Sequence, residues 1–484
     1  MFGNTQLQKK INIQKKYRSA KRIYCETFKS KYSNYFYESD IKKIKSFDLD
    51  FILRFGFGII RGEILSIPQY GVWSFHHGDE KKYRGGPYGF WEIYYGEPII
   101  GSVLQILTEK LDGGFIIKKG YFKTVKHSFA KNINQVLELT ALWPAQVCKE
   151  ILNNSFVFPE VSRTKAKIFK TPTIIQTIKF IYIIFREKLK YLYNLFIFDE
   201  WNIGIINKSI QDVLKSGIKA SEINWLAKED NILYADPFFF EYKKKFFLAF
   251  EEMNYFDYKG KIQVIKYPFL NLENIKNFEI IENYHLSYPN FFSIGQKLFC
   301  LPESHKSNSL FLYEFINNTW TKYVLLENIR VIDPEIIFYN NLYWLFFNIK
   351  GQYHETTLHI YYSENIYSDW RPHFLNPVLF DVRNSRNAGK ILMDNGKLIR
   401  FGQDYSQLKE GSITISEITT LTTDKYEEKI IGKIMPISDS NYSYKIHTIN
   451  SINHYTVIDG AKKKKYFYHP IFLIRLILKR LDEK

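Results

Sequence analysis

The chain has few cysteines and none at a spacing that would hold a metal ion. Cys25, Cys148 and Cys300 are its three cysteines among 484 residues, and they lie far apart. Three scattered cysteines do not suggest a disulfide framework, and no CxxC or Cys/His ligand spacing indicates a zinc site. We therefore predict no disulfides and no metal ligands, and the low cysteine content favours a reducing compartment.

Uninterrupted apolar runs are also missing. The two most apolar segments, residues 174–198 and 471–481, are broken by lysines and arginines, so neither is predicted to span a bilayer. Residues 1–37 are polar and rich in lysine, without the apolar stretch of a secretory signal. These features predict a cytoplasmic protein in which either apolar segment could still lie on a membrane surface.

Positive charge is in excess, because 67 Lys and Arg residues against 50 Asp and Glu residues give a net charge of +17. Hydrophobic residues make up 45% of the chain and aromatic residues 18%, which excludes a disordered polycation and predicts a globular protein. A basic surplus can indicate nucleic acid or an anionic membrane as partner. The basic residues are spread along the chain without an RNA- or DNA-binding signature, so nucleic acid is not favoured.

The length suggests about three folding units, and changes in composition place the boundaries. We predict a charged, mostly helical lead (1–47), an α/β domain (48–155), a basic amphipathic linker (156–200), a β-rich domain (201–460) and a basic C-terminal helix (461–484). In the α/β domain short strands and helices alternate, and the last helix is expected over Asn132–Leu152.

The linker has apolar residues at spacings of three and four, which predict one helical stripe. Its members are Ile174, Ile178, Ile181, Phe185, Leu189, Leu192 and Phe196. We expect this stripe to pack on a neighbouring domain, and binding to a membrane surface is the alternative. At the C-terminus, Lys462–Lys465 precede an apolar segment, a combination that also suits an anionic membrane.

A repeat begins after Trp201. Ala235-Asp-Pro, Ser287-Tyr-Pro and Ile332-Asp-Pro each start a unit, and their central residues are 288 − 236 = 52 and 333 − 288 = 45 positions apart. Two further units are expected to start at residues 385 and 445. A four-stranded blade takes about 40–50 residues, so five units predict an all-β five-bladed propeller.

Residues suited to chemistry cluster in the α/β domain. Ser74-Phe-His76 ends a predicted strand, Tyr83-Arg84-Gly follows in a loop, and Asp112 lies on a Gly-Gly turn. A histidine and a carboxylate can accept a proton and orient the acceptor in acyl transfer to an amine. Each also has a structural explanation, as a strand-end histidine or a turn residue.

The order of these strings resembles the formyltransferase family that uses 10-formyltetrahydrofolate, over roughly residues 45–155. The resemblance implies that His76 is the catalytic histidine, that Asp112 is its acidic partner and that 10-formyltetrahydrofolate is the formyl donor. Ser74 stands where the family has asparagine, at a catalytic position, and Arg84 would bind substrate.

The starts of the five repeats are expected to meet, because the first strand of each propeller blade borders the central channel. The residues placed there are Asp236, Tyr288, Asp333, Glu335, Arg386 and His447. Carboxylates beside an arginine and aromatic walls suit a carbohydrate, and a carboxylate pair can carry out glycoside chemistry. The alternative is that each Asp-Pro merely fixes the start of a strand.

These repeats resemble the five-bladed propellers of the glycoside hydrolase 43 and 32 type. They resemble more closely the N-terminal domain of the plant glucosamine inositolphosphorylceramide transferases, over about residues 200–460. The matching strings include Ala235-Asp-Pro-Phe, Leu301-Pro-Glu303-Ser, Ile332-Asp-Pro, Arg386-Asn-Ala-Gly and His447-Thr-Ile-Asn. Resemblance to the hydrolases implies that Asp236, Glu303 and Asp333 take the positions of the base, the acid and the tuning carboxylate.

The sequence thus predicts a partial α/β formyltransferase-like domain followed by an all-β five-bladed propeller. The predicted function is carbohydrate modification in surface-glycan synthesis, by N-formyl transfer to an amino sugar. The alternative is a propeller that binds or processes a glycan, joined to an inactive first domain. The expected partners are an amino sugar, a nucleotide sugar or a glycan, and an anionic membrane surface.

Overall fold

The computed structural model describes residues 21–465 except 111–112, 160, 256–258, 269–274, 352 and 407–410. The chain divides into two compact units, Met1–Lys190 and Tyr191–Lys484. The predicted catalytic residue Asp112 and most of the predicted C-terminal helix therefore lie outside the described residues.

The first unit combines short strands with five helices among its described residues. The strands are β1 (Thr27–Ser30), β2 (Ser33–Phe36), β3 (Ile52–Arg54), β4 (Ile59–Ile60), β5 (Val72–His76), β6 (Arg84–Gly85), β7 (Ile99–Ile106), β8 (Phe115–Lys123) and β9 (Ile168–Phe169). The helices are α1 (Glu38–Lys45), α2 (Phe90–Tyr95), α3 (Phe129–Thr140), α4 (Trp143–Leu152) and α5 (Ile174–Asn194), whose last turn passes into the second unit.

The main sheet of this unit has the order β3-β5-β7-β8. Only β3 and β5 are parallel, and the other two pairs are antiparallel. Trp73, Val103 and Phe122 are fully buried along it, so β5, β7 and β8 supply a continuous apolar core. Strands and helices are both present, but β7 and β8 follow each other directly, so the expected alternation holds only in part.

Two predictions for this unit are wrong. Residues 1–20 of the lead lie outside the described residues, and the helix expected over the rest is limited to α1, because β1 and β2 form a hairpin in which Phe28 stacks on Tyr35 across the strands, with ring centroids 5.6 Å apart. The predicted helix over Asn132–Leu152 is two helices, α3 and α4. Pro144 lies in the first turn of α4, where its missing N–H costs nothing, whereas it would interrupt a continuous helix.

The predicted linker helix is confirmed as α5, but the wrong face was expected to pack. Phe180, Ile183 and Ile184 are buried against Phe90 and Trp91 of α2, whereas the members of the predicted stripe that lie on the helix are exposed. Phe196, the last member of the stripe, follows the helix and is half-buried. Amphipathic spacing marks an apolar face without showing what covers it, and α5 is apolar on two faces. Among the helices of the described residues, none combines the length and apolarity needed to span a membrane.

The second unit contains five antiparallel sheets in its described part, as the repeats predicted. Its strands are β10 (Ile197–Ile206), β11 (Ile223–Trp225), β12 (Ile232–Tyr242), β13 (Lys245–Asn254), β14 (Gly260–Tyr267), β15 (Ser287–Ile294), β16 (Lys297–Glu303), β17 (Ser309–Ile316), β18 (Thr319–Glu327), β19 (Val331–Tyr339), β20 (Leu342–Ile349), β21 (Thr357–Ser363), β22 (Arg371–Pro372), β23 (Leu379–Phe380), β24 (Arg386–Asn387), β25 (Leu392–Asp394), β26 (Lys397–Asp404), β27 (Ser412–Leu421), β28 (Tyr426–Ile434), β29 (Ile449–Ile452) and β30 (Tyr455–Lys465), with one helix, α6 (Ile210–Ser216).

The sheets follow the repeats. Their orders are β12-β13-β14, β15-β16-β17-β18, β19-β20-β21-β22, β24-β26-β27-β28 and β11-β10-β30-β29. The short strand β23 pairs with β21, and β25 pairs with β26. Five successive antiparallel sheets define an all-β, propeller-like domain.

The fifth sheet joins the two ends of the unit. Strand β10 pairs antiparallel with β30 from Ile197 opposite Lys465 to Ile206 opposite Thr456. This pairing protects two strand edges that would otherwise be open. It also corrects the helix prediction for residues 461–465, which continue β30; residues 466–484 lie outside the described part of the chain.

A β-bulge recurs in the first strand of the first three repeats. The register shifts at Asp236-Pro, Tyr288-Pro and Asp333-Pro, and the residue before each proline has a left-handed φ of 50°, 49° and 47° respectively. Proline has no N–H to contribute to the strand ladder, so a bulge accommodates it. The repeat places Asp236, Tyr288 and Asp333 at equivalent positions.

Side-chain amides from neighbouring sheets satisfy carbonyls at two of these bulges. Asn450 donates to the Pro237 carbonyl at 2.7 Å, Asn290 to the Pro334 carbonyl at 3.3 Å, and Asn387 to the Asp333 carbonyl at 2.8 Å. Unpaired buried carbonyls are costly. The first strands of adjacent sheets are therefore tied together at the bulges.

We predict that Arg400→Met strongly destabilises the second unit. Arg400 on β26 is fully buried and donates to both carboxylate oxygens of Glu428, at 2.8 and 2.7 Å. Removing one member of a buried pair costs about 3–5 kcal/mol, which urea denaturation would measure. Lys397→Met, on the same strand, removes an exposed partner of Glu417 and should cost about 0–1 kcal/mol; equal losses would contradict the prediction.

Candidate functional site

Several of the residues predicted to line the centre of the propeller contact one another in the structure. Arg386 on β24 forms an ion pair with Asp333 on β19, and Gln403 donates to Asp333 Oδ2 at 2.9 Å. The Arg386 guanidinium also donates to the Tyr405 hydroxyl at 2.9 Å. Both oxygens of Asp333 are engaged, since Arg386 Nη2 lies 3.4 Å from Oδ1. Burial raises the pKa of Asp333, and Arg386 opposes that rise.

A second cluster joins Asp236 on β12 to the fifth sheet. His447 Nε2 lies 3.6 Å from Asp236 Oδ1, and Thr448 donates to the same oxygen at 2.9 Å. Asp459 on β30 contacts His447 Nδ1 at 2.5 Å and accepts the Asp236 N–H at 3.2 Å. The Trp201 ring stacks on His447 with centroids 4.0 Å apart.

This cluster has perturbed protonation. Burial raises the pKa of Asp236 to about 7, assisted by the charges of Asp333 and Asp459 and opposed by His447. Burial acts to lower the pKa of His447, but Asp459 and Asp236 outweigh it and raise that pKa. The neighbouring carboxyl groups therefore favour the cationic form of the His447 imidazole.

Tyr288 and Glu335 form the third part of the centre. Tyr288 is fully buried on β15, and its hydroxyl accepts the Gly389 N–H at 2.6 Å. Glu335 accepts a hydrogen bond from Asn290 at 2.9 Å. Burial raises the pKa of Glu335 to about 8, although hydrogen bonding to Tyr288 and the charge of Lys390 oppose the rise.

Gly389 allows the fourth and fifth sheets to approach closely at this point. Its φ is +124°, and a Cβ there would lie 1.9 Å from the Ile449 carbonyl oxygen. A side chain at position 389 would clash with this carbonyl, so only glycine allows the approach. The same approach brings the Gly389 N–H to the Tyr288 hydroxyl. The glycine of the predicted Arg386-Asn-Ala-Gly string thus has a structural requirement.

Glu303 differs from the other central acids. Its Oε1 contacts His305 Nδ1 at 2.5 Å, and its Oε2 accepts the Asp333 N–H at 3.1 Å. Burial acts to raise the pKa of Glu303, but the hydrogen bond and charge of His305, together with Arg386, hold it below its usual range. Glu303 therefore remains ionised at neutral pH.

The sequence missed several central residues. Asp459, Gln403 and Lys390 were not predicted, yet they contact Asp236, Asp333 and the Phe239 carbonyl respectively. Burial lowers the pKa of Lys390 to about 8 against the charge of Glu335. Gln403 lies near the end of the second strand of its sheet, as Glu303 does, which was an available signal, whereas Asp459 lies in the middle of β30.

Among the described residues, Asp236, His447 and Asp459 could hold a metal ion, because one ligand atom from each lies within 4.8 Å of the others. Two carboxylates and one imidazole are a plausible ligand set for a divalent cation. In this structure Oδ1 of Asp459 accepts the backbone N–H groups of His447 and Thr448. Hydrogen bonds from the protein therefore already occupy this Asp459 oxygen.

The candidate residues of the first unit are held by backbone contacts. His76 Nε2 lies 2.8 Å from the Tyr83 carbonyl oxygen. Because a carbonyl only accepts, Nε2 carries the proton of the neutral ring and Nδ1 is its basic nitrogen. Ser74 is buried, and its hydroxyl donates to the Phe75 carbonyl at 3.4 Å, while Arg84 Nη1 donates to the Ala166 carbonyl at 3.3 Å.

Two further ionisable residues near His76, His77 and Glu92, were not predicted as site residues. His77 Nδ1 lies 2.9 Å from the Ser102 hydroxyl, and burial lowers the pKa of His77 to about 4, so this ring is neutral. Glu92 is buried on α2, where burial raises its pKa to about 7. A Cβ placed on Gly78 would lie 3.1 Å from His76 Nε2 and 3.7 Å from Glu92 Oε1, so both groups border this glycine.

The second unit is thus a propeller-like domain with ionisable groups where its first strands meet. Residues 218–453 match the sequence model of the family described as glucosamine inositolphosphorylceramide transferase 1, N-terminal. Glucosamine inositolphosphorylceramide transferase 1 of Oryza sativa subsp. japonica is 30% identical over 206 residues, 40% of this chain and 27% of the rice protein. The predicted resemblance to that family is confirmed for this segment.

A second group of relatives consists of methionyl-tRNA formyltransferases. Methionyl-tRNA formyltransferase of Clostridium perfringens is 30% identical over 122 residues, 25% of this chain and 39% of that enzyme. The chain therefore spans well under half the length of either curated relative. Its similarity to formyltransferases is partial.

Solved structures give weak matches. An exo-β-1,3-galactanase from Clostridium thermocellum has a TM-score of 0.34 at 12% identity, covering 43% of this chain and 53% of that one. A family 117 glycoside hydrolase from Zobellia galactanivorans has a TM-score of 0.35 at 9% identity, covering 55% and 90%. The fold assignment rests on the five sheets and not on these scores.

We predict that Glu335→Gln weakens the pH dependence of stability. A carboxyl whose pKa is raised from 4.5 to about 8 on folding binds its proton more tightly in the folded state. Stability therefore falls as pH rises through this window. Between about pH 5 and pH 9 the melting temperature of the wild type should fall by roughly 5 °C more than that of Glu335→Gln.

The matched control is Glu327→Gln, which changes an exposed glutamate at the end of β18. Its melting curve should follow the wild type at each pH. Parallel pH profiles for wild type and Glu335→Gln would show that Glu335 is ionised in the folded protein, which would contradict the assignment.

Proposed function

We propose that the second unit binds a carbohydrate where the first strands of its five sheets meet. The observation that carries the proposal is the convergence of Asp236 from the first repeat with Asp333 and Glu335 from the third, with Arg386 and His447 beside them. Such a concentration of buried ionisable groups is costly in a purely structural core and is typical of functional sites.

The protonation states suit sugar hydroxyls, which both donate and accept hydrogen bonds. Asp333, paired with Arg386, offers acceptor oxygens, the Arg386 guanidinium donates, and a protonated Glu335 would do both. Trp201, half-buried and stacked on His447, offers an apolar ring face beside these polar groups. The match of residues 218–453 to the family described as glucosamine inositolphosphorylceramide transferase 1, N-terminal, supports this ligand class.

If the site also cleaves or transfers a sugar, Glu335 is better suited than Glu303 to act as the acid. A general acid must hold its proton near neutral pH. Burial raises the pKa of Glu335 to about 8, whereas His305 keeps the pKa of Glu303 low. Asp236, with a pKa of about 7, would supply the second carboxyl group.

We expect Asp236→Asn to lower the affinity for glucosamine or N-acetylglucosamine about tenfold or more, because it alters the hydrogen bonds to His447 and Thr448. Isothermal titration calorimetry would measure the loss. Asp394→Asn is the control, since Asp394 contacts Gln211 at the end of β25, away from the central cluster. Equal affinities for wild type and Asp236→Asn would exclude Asp236 from the site.

Formyl transfer by the first unit is the second candidate function. The partial match to a methionyl-tRNA formyltransferase supports it, together with the order of Ser74, His76 and Arg84 in the sequence. The amine of an acceptor such as an amino sugar would attack the formyl carbon of 10-formyltetrahydrofolate, and the bond from that carbon to the folate nitrogen would break. His76, oriented by the Tyr83 carbonyl, would accept the amine proton at Nδ1 and return a proton to the departing folate nitrogen, so that tetrahydrofolate and the formamide are the products.

We predict that His76→Asn lowers formylation of glucosamine by about 10²–10⁴-fold if this unit is active. Mass spectrometry of the product would measure the rate. His454→Asn, on an exposed turn of the second unit, is the control and should leave the rate unchanged. Unchanged turnover in His76→Asn would remove His76 from the mechanism.

Calorimetry with 10-formyltetrahydrofolate separates the two candidate functions. Absence of binding by the wild-type chain would favour a glycan-binding protein with an inactive first unit. Donor binding without glucosamine binding at the propeller-like unit would favour the reverse.

A further inference from the structure

Helix α5 presents an apolar surface that is not used in the packing of the first unit. Eight of its apolar residues are between 40% and 81% exposed: Ile174, Ile175, Ile178, Ile181, Tyr182, Phe185, Leu189 and Leu192. At about 100° per residue they occupy one arc of roughly 120°, which we term the α5 apolar arc. The packed residues Phe180, Ile183 and Ile184 lie on the other side of the helix.

Such an arc is unusual for a surface in water. Ile174 and Ile178 are 81% and 62% exposed, and they lie on the same face one turn apart. Isolated exposed apolar side chains are common, whereas contiguous ones mark a protein or membrane contact. The arc therefore indicates an interaction surface.

Basic residues border the arc on both sides. Lys179, Arg186 and Lys190 project beyond one edge, and Lys188 projects beyond the other, as their spacing along the helix requires. All four are exposed. The single acidic residue of the helix, Glu187, projects toward the packed side and pairs with Arg186 and Lys190 at 2.8 and 3.0 Å.

We propose that α5 binds an anionic lipid bilayer. The α5 apolar arc would enter the boundary between headgroups and acyl chains, with its bordering lysines and arginine on the lipid phosphates. An apolar face combined with a basic rim is the arrangement that binds helices parallel to anionic membranes. This proposal does not depend on which sugar, if any, the second unit binds.

A second copy of the chain fits the arc less well. Two α5 helices packed through their arcs would bring basic borders together in either orientation, because both edges of the arc carry positive charge. Like charges brought face to face disfavour association. Charge complementarity therefore selects an anionic surface.

The basic run near the C-terminus does not supply the same combination. Lys462 and Lys464 pair with Glu200 at 3.3 and 3.1 Å within the β10–β30 sheet, and Lys463 lies over the Tyr444 ring. These lysines have protein partners along a strand, so α5 is the described element that best suits a bilayer.

Co-sedimentation of the full chain with vesicles tests the proposal. We expect binding to vesicles of phosphatidylcholine mixed with phosphatidylserine to be at least about tenfold tighter than to phosphatidylcholine alone. The double variant Ile178→Glu/Phe185→Glu should bind the mixed vesicles at least about tenfold more weakly, because it places charge in the arc. The control Ile281→Glu/Phe338→Glu changes two exposed apolar residues of the second unit and should bind as the wild type does.

Lys188→Glu gives a second variant that leaves the α5 apolar arc intact. It should weaken binding to the mixed vesicles several-fold, and it decides the question if the double variant melts early. Equal binding of wild type and Lys188→Glu, or equal binding to both kinds of vesicle, would overturn the proposal. A dimer in sedimentation velocity that depends on Ile178 and Phe185, without vesicle binding, would overturn it in favour of a second copy.

Discussion

Compensation of buried negative charge is the constraint on which the centre of the second unit depends. The bulges at Asp236 and Asp333 occupy equivalent positions in their repeats, and their carboxyl groups converge where five sheets meet. An unpaired buried carboxylate would cost several kcal/mol. Asp333 is compensated by Arg386 and Gln403, whereas Asp236 lies between His447 and a hydroxyl donor.

The carboxyl groups of this centre have different neighbours, and their pKa values are shifted in opposite directions. Glu303 is kept ionised by His305, while Glu335 tends to retain its proton in contact with Tyr288 and Asn290. Ionised and protonated carboxyl groups in one place can accept from and donate to the same polyol. The same pair of states is what acid–base chemistry at a glycosidic bond requires.

In the first unit, the candidate side chains are positioned mainly by hydrogen bonds to backbone carbonyls. A single carbonyl, that of Tyr83, sets which nitrogen of His76 carries the proton, and burial keeps His77 neutral. Among the described residues, Glu92 on α2 is a buried acid that lies near His76. A site of this kind would depend on orientation of one imidazole, in contrast to the network of charges in the second unit.

The sequence by itself determined the repeat and therefore the five sheets, because Asp-Pro, Tyr-Pro and glycine turns recur at blade-like spacing. It also determined which side chains start each repeat. It did not show the β1–β2 hairpin, since short segments with mixed propensity depend on a cross-strand partner such as Tyr35 for Phe28. Nor did it separate α3 from α4, because periodicity continues across the break before Pro144.

Only the tertiary structure decided which side chains contact the predicted central residues. Asp459 and Lys390 join the centre because sheets distant in sequence pack together, and local sequence contains no information on such distances. The face of α5 that packs was likewise decided by α2, whose Phe90 and Trp91 cover Phe180 and leave the predicted stripe exposed. Spacing along a chain defines local faces and repeats, whereas burial, pKa shifts and ion pairs arise from contacts between segments that only the folded chain brings together.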